Sequence, residues 1–405
     1  MLSILYPKVM LRVHALPLGL IPFRVSADIV PKLIVKVSKE TILAAKIRRG
    51  FLIHLIPYEV DGVRSVGFLA AFSDDNQSPL VAGGAFVKEF FARDLSGLFL
   101  SKQVDVHFFD ELGREMLGYR TEFASTKKHR ALLRAAIFPS LNQIRQGAVL
   151  SELSEWFSRS SIEDDKAAIS VEFKYSLLPE DMVFVDVRHD KHAYHGSAGY
   201  SLVTLEREES GEAQEKEIVE LLHRTFDGRN IYLSPKKVYD KEEIADILVV
   251  TDRSVLIVQA KDSPNIERIV NNSIERKRST ASSALKKAVG QVKGAISYLT
   301  KSSPVGMLVD DDEIKIDLQG KRVYGLVVMK ELFNDDYDKY TPPMIELYGK
   351  TNVPCIPLSY SELHQYTHHL KGDEAFFEAF LKVFLHGFES GMFPRLRIHP
   401  PGSNI

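Results

Sequence analysis

Apolar residues in the second half of the chain come in short unbroken runs and then at helical spacing. Ile247–Val250 and Val255–Val258 are two such runs, largely β-branched. Thr251–Ser254 between them has turn composition, so the pair reads as a β-hairpin. Ile231–Leu233 ahead of it supplies one more strand. Beyond it Leu285, Val289, Val292, Ile296 and Leu299 recur at intervals of four and three, the stripe of a helix with one buried face. Ser279-Thr280 is the expected N-cap of that helix, which runs to about Thr300. Lys321–Met329 reads as a buried strand, and Val353–Ser359 as an edge strand because its prolines cannot donate to a ladder. Ser359 caps a short helix, and Asp373–Gly387 is an amphipathic helix with an aromatic face.

The first half has a different pattern. Leu33–Val37, Phe51–Ile56, Ser65–Leu69 and Val104–Phe109 are β-like runs punctuated by Gly and Pro. Residues 125–160 are helical, and Ala168–Phe173 and Met182–Val187 return to strands. The expected division is a β-rich N-terminal domain at 1–124, a helical connector with additional strands at 125–207, and an α/β domain at 208–405, with the boundary near Glu208–Ser210.

Composition narrows the field only a little. An apolar fraction of 45% and a charged fraction of 26% are those of an ordinary globular protein, and a net charge of −2 advertises no nucleic acid. Positive charge is concentrated locally instead. Residues 268–301 carry eight Lys or Arg against Glu275 alone, and the first sixty carry nine against Asp28, Glu40 and Glu59. The first set sits on the flanks of a predicted helix, where Arg276, Lys277, Arg278, Lys286, Lys287 and Lys293 are candidates to grip a phosphate backbone. The second reads as ordinary surface rather than a nucleic-acid face. Cys355 is the single cysteine, which excludes an intramolecular disulfide and suggests a reducing, cytoplasmic setting. No apolar run is long enough to span a membrane, and no signal peptide is expected. There is no Walker-type phosphate loop and no serine-nucleophile motif.

The hairpin carries the chemistry. Asp246 stands where its first strand begins, and Gln259 and Lys261 where its second ends; in an antiparallel pair these ends are adjacent. Side chains alternate, so Gln259 and Lys261 share a face and the small Ala260 points away. Phosphodiester hydrolysis needs a divalent metal, an activated water and a stabilised leaving oxygen. Mg²⁺ is satisfied by one or two carboxylates with neutral oxygens and waters. Asp246 is the expected main ligand, with the Gln259 side-chain oxygen or the Ala260 carbonyl beside it, and Lys261 would orient or polarise the attacking water.

The pattern Asp-x12-Gln-x-Lys resembles the PD-(D/E)XK nuclease superfamily, and its Gln is similar to the variant of Mrr-like restriction endonucleases. Gly211–Leu222 resembles the opening helix of the Mrr-like and nuclease-related (NERD) families, where a Glu precedes apolar residues at helical spacing, here Ile218, Leu221 and Leu222. The resemblance covers about 205–390 and departs at Ile244-Ala245, where Pro is common, and at Gln259. It implies a restriction-endonuclease-like αβββαβ core, with Glu215 as second carboxylate and Glu212 and Glu217 as rivals. It implies Gln291 as a further site residue, Mg²⁺ or Mn²⁺ as cofactor, and DNA as substrate, with RNA as the alternative. Bacterial restriction or anti-phage defence is the setting it suggests, with the N-terminal domain selecting substrate or regulating cutting. Paired cuts on a duplex would call for a homo-oligomer. An inactive nuclease fold used for DNA binding or scaffolding is the competing reading.

Three other groups have weaker claims. His189, His192 and His195 have ligand-like spacing in a polar loop; His364 and His368, four apart on a helix, read as surface histidines; and Asp310–Glu313 reads as a solvated acidic loop rather than a metal site.

Overall fold

The computed structural model describes residues 1–15, 18–24, 30–72, 80–88, 91–146, 161–178, 211–301, 303–310, 312–333 and 336–393, with short pieces between 149 and 208. The chain is mixed α/β and divides into two compact units. The first holds residues up to about 206 together with 265–272, and the second holds most of 207–405.

The first unit is built on an eight-stranded sheet. Its strands are β1 (Gly19–Phe23), β2 (Lys32–Lys36), β3 (Gly50–Val60), β4 (Val63–Phe72), β5 (Leu80–Ala85), β6 (Gln103–Phe109), β7 (Glu115–Phe123) and β8 (Ile169–Ser176), in the order β1-β2-β6-β7-β8-β3-β4-β5. All pairs are antiparallel except β2 with β6. β8 lies between β7 and β3, so residues 169–176 belong to the same sheet as the strands before residue 124. β9 (Phe184–Asp186) and β10 (Ser201–Val203) form a separate antiparallel pair. Along β3 the side chains divide by parity. Phe51 and Ile53 enter the main core, where Phe51, Phe72, Phe108 and Phe173 touch ring to ring. Ile56, Tyr58 and Val60 enter a smaller cluster with Ile144, Val149 and Leu153.

The second unit begins with helix α1 (Gly211–Leu222), followed by β11 (Ile231–Leu233) and the short β12 (Lys236–Lys237). Then come the hairpin β13 (Ile247–Val250) and β14 (Ser254–Lys261), and the helix α2 (Ile274–Leu299). β15 (Val305–Val309), β16 (Asp312–Ile316), β17 (Arg322–Met329), α3 (Tyr337–Thr351), β18 (Cys355–Ser359), α4 (Tyr360–His369) and α5 (Asp373–Ser390) complete it. The main sheet has the order β11-β13-β14-β17-β18. β11, β13 and β14 are antiparallel to their neighbours in turn; β14, β17 and β18 run parallel. β13 is buried along its whole length and β14 up to its last residue, with no alternation, as strands covered on both faces must be. The three parallel strands end together, with Lys261 beside Met329 and Met329 beside Ser359. The carboxyl edge of parallel strands is where an open α/β sheet offers room for a ligand.

Every residue of the predicted α2 stripe is buried. Its start differs from expectation: Ser273, not Ser279-Thr280, is the N-cap, accepting from the Arg276 amide at 3.4 Å. Ser279 and Thr280 lie inside the helix, a turn or two ahead of its buried stripe, which begins at Leu285. Of the acidic segment expected as a loop, Asp312 and Glu313 open β16, paired with Val309 and Leu308 of β15, and with β12 these strands form a three-stranded sheet; Asp311 lies outside the described residues. Among the described residues no helix is long and apolar enough to cross a membrane.

Gly325 on β17 sets how closely α2 lies on the sheet. A Cβ there would meet Val292 Cγ1 and Cys355 Sγ, both at 2.9 Å. Gly325→Val should therefore overpack the layer and cost about 1–3 kcal/mol. The urea midpoint reads this directly; a variant as stable as the native chain would show that α2 does not pack on that residue.

Candidate functional site

The hairpin is closed by its own hydroxyl residues. The Thr251 amide donates to the Ser254 carbonyl at 2.8 Å, and the Ser254 amide donates to Thr251 Oγ1 at 3.1 Å. Lys321 Nζ donates to the Thr251 and Asp252 carbonyls at 2.7 and 2.8 Å. This closure fixes the register, Val250 opposite Val255 through Ile247 opposite Val258. One step further brings Asp246 opposite Gln259.

Asp246 is 5% exposed. Its carbonyl accepts from the Ser234 amide at 2.8 Å, tying it to the end of β11. Its carboxylate accepts from the Ala260 amide at 2.6 Å and lies 3.5 Å from Lys261 Nζ. Lys261 Nζ donates to the Ala260 carbonyl at 2.8 Å. Gln259 is buried with its amide against the same carboxylate: turned nitrogen-inward, it donates to Oδ1 at 3.0 Å and Oδ2 at 3.1 Å. Turned oxygen-inward, it would set lone pair against lone pair unless a proton or a cation lay between. Burial pushes the Asp246 carboxyl above its ordinary range, and the Lys261 charge and the Ala260 hydrogen bond only partly oppose it.

The donor set suits a hard divalent cation. Asp246 Oδ2 and the Ala260 carbonyl already face one cation, the Lys261 ammonium. The Gln259 oxygen is within reach of the same carboxylate. One carboxylate with neutral oxygens is a sufficient protein contribution for Mg²⁺, which keeps several waters. Among the described residues no group of three or more His, Cys, Asp or Glu is gathered to hold a metal.

The structure thus brings Asp246, Gln259 and Lys261 together. On α1 the buried face is Gln214, Ile218, Leu221 and Leu222. Glu215 is half-buried beside it, and Glu217 accepts from Tyr360 Oη at 2.8 Å. The Glu212 side chain lies outside the described residues. Gln291 is exposed on α2, off its buried face. Two residues escaped the sequence reading. Tyr360 follows the end of β18 and binds α1 through Glu217. Gln214 is 3% exposed and its Oε1 has no hydrogen-bond partner among the described residues. A buried unmet amide oxygen costs about 1–3 kcal/mol. Its signal was an amide standing in register with Ile218 and Leu221 on an otherwise apolar stripe.

The basic residues of α2 divide. Arg276, Lys286, Lys287 and Lys293 are exposed and Lys277 is half-buried. At 100° per residue Lys286 and Lys293 border one side of the buried face, and Lys287 and Gln291 the other. Lys293 is close enough to α3 to help Lys350 hold the Glu346 carboxyl below its usual range. Arg278 is taken up internally, donating to Asp336 Oδ1 at 2.8 Å and lying over the Phe333 ring. The basic excess of the first sixty residues is also largely consumed. Lys36 is fully buried and donates to the Val13 carbonyl, Lys32 pairs with Asp105, Lys46 pairs with Glu206, and Arg12 lies over Phe23 and Phe91. His364, expected at the surface, is 2% exposed, with its ring stacked on that of His368 at 6.2 Å. It faces inward because α4 packs against α1 and the sheet. His189, His192 and His195 lie outside the described residues.

No protein-family model, curated protein or solved structure matches the chain.

The raised Asp246 carboxyl has a sign that can be tested. The folded protein holds this proton more tightly than the unfolded chain, so Asp246 subtracts stability as the pH rises through and above the ordinary carboxylate range. Asp246→Asn removes that dependence. The melting temperature of the variant minus that of the native protein should grow between about pH 4 and about pH 7. A difference that shrinks with rising pH would mean that Lys261 outweighs burial.

Proposed function

We propose that the chain is a metal-dependent nuclease that hydrolyses phosphodiester bonds in DNA. In this reading α1, β11, β13, β14, α2 and β17 form a restriction-endonuclease-like core. The observation that carries the proposal is the meeting of a buried carboxylate, an amide and an ammonium at the base of one hairpin. Stability alone is a weak reason for that grouping. A surface ion pair would be worth little, and a buried one is commonly replaceable by apolar residues at no loss.

Asp246 and the Gln259 side-chain oxygen would hold Mg²⁺ or Mn²⁺, with Glu215 from α1 as the second carboxylate. The metal, when bound, supplies charge neutralisation and an acidified water. Lys261 has a different task. Its ammonium satisfies Asp246 and the Ala260 carbonyl in the structure, and a divalent cation held by Asp246 would leave it available to substrate. There it would hold the attacking water by hydrogen bonding and balance charge on the phosphate. Arg276, Lys277, Lys286, Lys287 and Lys293 would line the backbone approach along α2, with Gln291 beside Lys287. Arg278, already paired with Asp336, contributes to α3 rather than to DNA. The first unit would select substrate or regulate cutting. The setting this favours is restriction or anti-phage defence in the cytoplasm, with a second copy of the chain supplying the other cut on a duplex.

A non-catalytic DNA-binding or scaffolding role is the second reading, favoured by the ammonium that sits on the one carboxylate at the hairpin base.

Supercoiled plasmid, linear and single-stranded DNA, and RNA, incubated in Mg²⁺, Mn²⁺ or EDTA, separate the two. The native protein should cut in metal and not in EDTA. Asp246→Ala and Lys261→Ala should each lower the rate by at least about 10²-fold, the value of several kcal/mol in a transition state. Binding that is unchanged in EDTA, with no cleavage of any substrate, would establish the non-catalytic role. Cleavage that survives both substitutions would place the chemistry elsewhere.

A further inference from the structure

The first unit contains a cavity of about 390 Å³ lined by Ile56, Pro57, Tyr58, Glu152, Glu155, Trp156 and Asp164. Its volume is within the range of small-molecule sites. We propose that this cavity is a binding site for an organic cation of the alkylammonium class.

The walls argue for it. Tyr58 rises from β3 on the face that carries the cluster of Ile56, Val60, Ile144, Val149 and Leu153, and Trp156 packs on that cluster. The two rings give the cavity π faces, which attract a cation placed over them. Ile56 and Pro57 supply apolar contact for the alkyl groups that an inorganic ion lacks. Three carboxylates complete the lining, with no Lys or Arg among the described residues. Glu152 and Glu155 are exposed, so their charge reaches the mouth of the cavity. Asp164 accepts from the amide and hydroxyl of Ser161, both at 2.8 Å, which keeps it ionised.

A second observation points to a missing ligand. Tyr58 is 6% exposed, and neither its hydroxyl nor that of Ser65, its cross-strand partner, meets the geometry of a hydrogen bond. Ser65 is close enough to oppose the rise of the Tyr58 hydroxyl, but burial dominates and Glu152 adds to it. The buried phenol makes no hydrogen bond of good geometry among the described residues, and it lines the cavity. His54 is no competitor for the site. It lies against the Trp156 ring at 5.3 Å and 3.5 Å from Asp165, and burial lowers its pKa, so it stays neutral near pH 7.

Trp156 is the single tryptophan of the chain, so its fluorescence reports this cavity and nothing else. The probes are choline and its uncharged isostere 3,3-dimethylbutan-1-ol, added to the full chain at constant ionic strength. Choline should change the emission saturably at millimolar concentration; the alcohol should not. Glu152→Gln combined with Glu155→Gln, both exposed, should weaken choline by roughly threefold to tenfold in a protein whose melting curve shows it folded. No saturable response to choline, an equal response to the alcohol, or undiminished affinity in the double variant would each overturn the proposal.

Discussion

A carboxylate held out of water at the base of β13 is the constraint around which the second unit is arranged. Asp246 cannot be buried without partners, because an uncompensated buried charge costs several kcal/mol or neutralises itself. Its partners come from the opposite strand: the Ala260 amide, the Gln259 amide and the Lys261 ammonium. All three reach it in one register of the hairpin. A one-residue slip would turn Gln259 and Lys261 to the other face and leave the charge alone. The Thr251–Ser254 closure and the Lys321 clamp at the far end hold that register. The same pairing aligns β14 with β17 and β18, so that the polar cluster stands at the carboxyl edge of the parallel strands.

That arrangement is a poor way to gain stability, and under the proposed function its use is to hold a cation. Burial dominates the raised Asp246 carboxyl, and the Lys261 ammonium does not cancel it. The Gln259 amide, nitrogen-inward, satisfies the carboxylate; oxygen-inward it would be the ligand that the proposed function needs. The remainder of the layer is apolar and close-packed, with Gly325 removing even a methyl between β17 and α2.

The hairpin was legible because its signals were local: two apolar runs, a turn with hydroxyls, and polar residues at the ends. The α2 stripe was legible because tertiary packing and helical periodicity agreed over four turns. The α2 start was not, since Ser273, Ser279 and Thr280 all have cap chemistry and only the packed structure chooses among them. Helix α3 contains Pro342 and Pro343 and was not read as a helix at all. Its burial of Tyr340, Met344 and Leu347 overrides a local breaker. The β12-β15-β16 sheet was missed because its hairpin half, Asp312–Ile316, alternates charge with partly exposed isoleucine, a weak strand signal. At the site, Asp246, Gln259 and Lys261 followed from strand parity. The rotation of α1 did not follow, and it was rotation that put Gln214 rather than a carboxylate on the buried face. The rings of His364 and His368 share a face as their spacing implied, but only the packing of α4 determined that His364 faces inward.

The central claim is that the base of this hairpin is a divalent-cation site. Anomalous diffraction from crystals of the full chain soaked in Mn²⁺ tests it most directly. The account predicts a peak in ligand contact with Asp246, about 2.1 Å from a carboxylate oxygen, with the Lys261 ammonium withdrawn from the Ala260 carbonyl. A clean map at Asp246 with Lys261 unmoved, under Mn²⁺ concentrations that saturate any other site in the crystal, would contradict it.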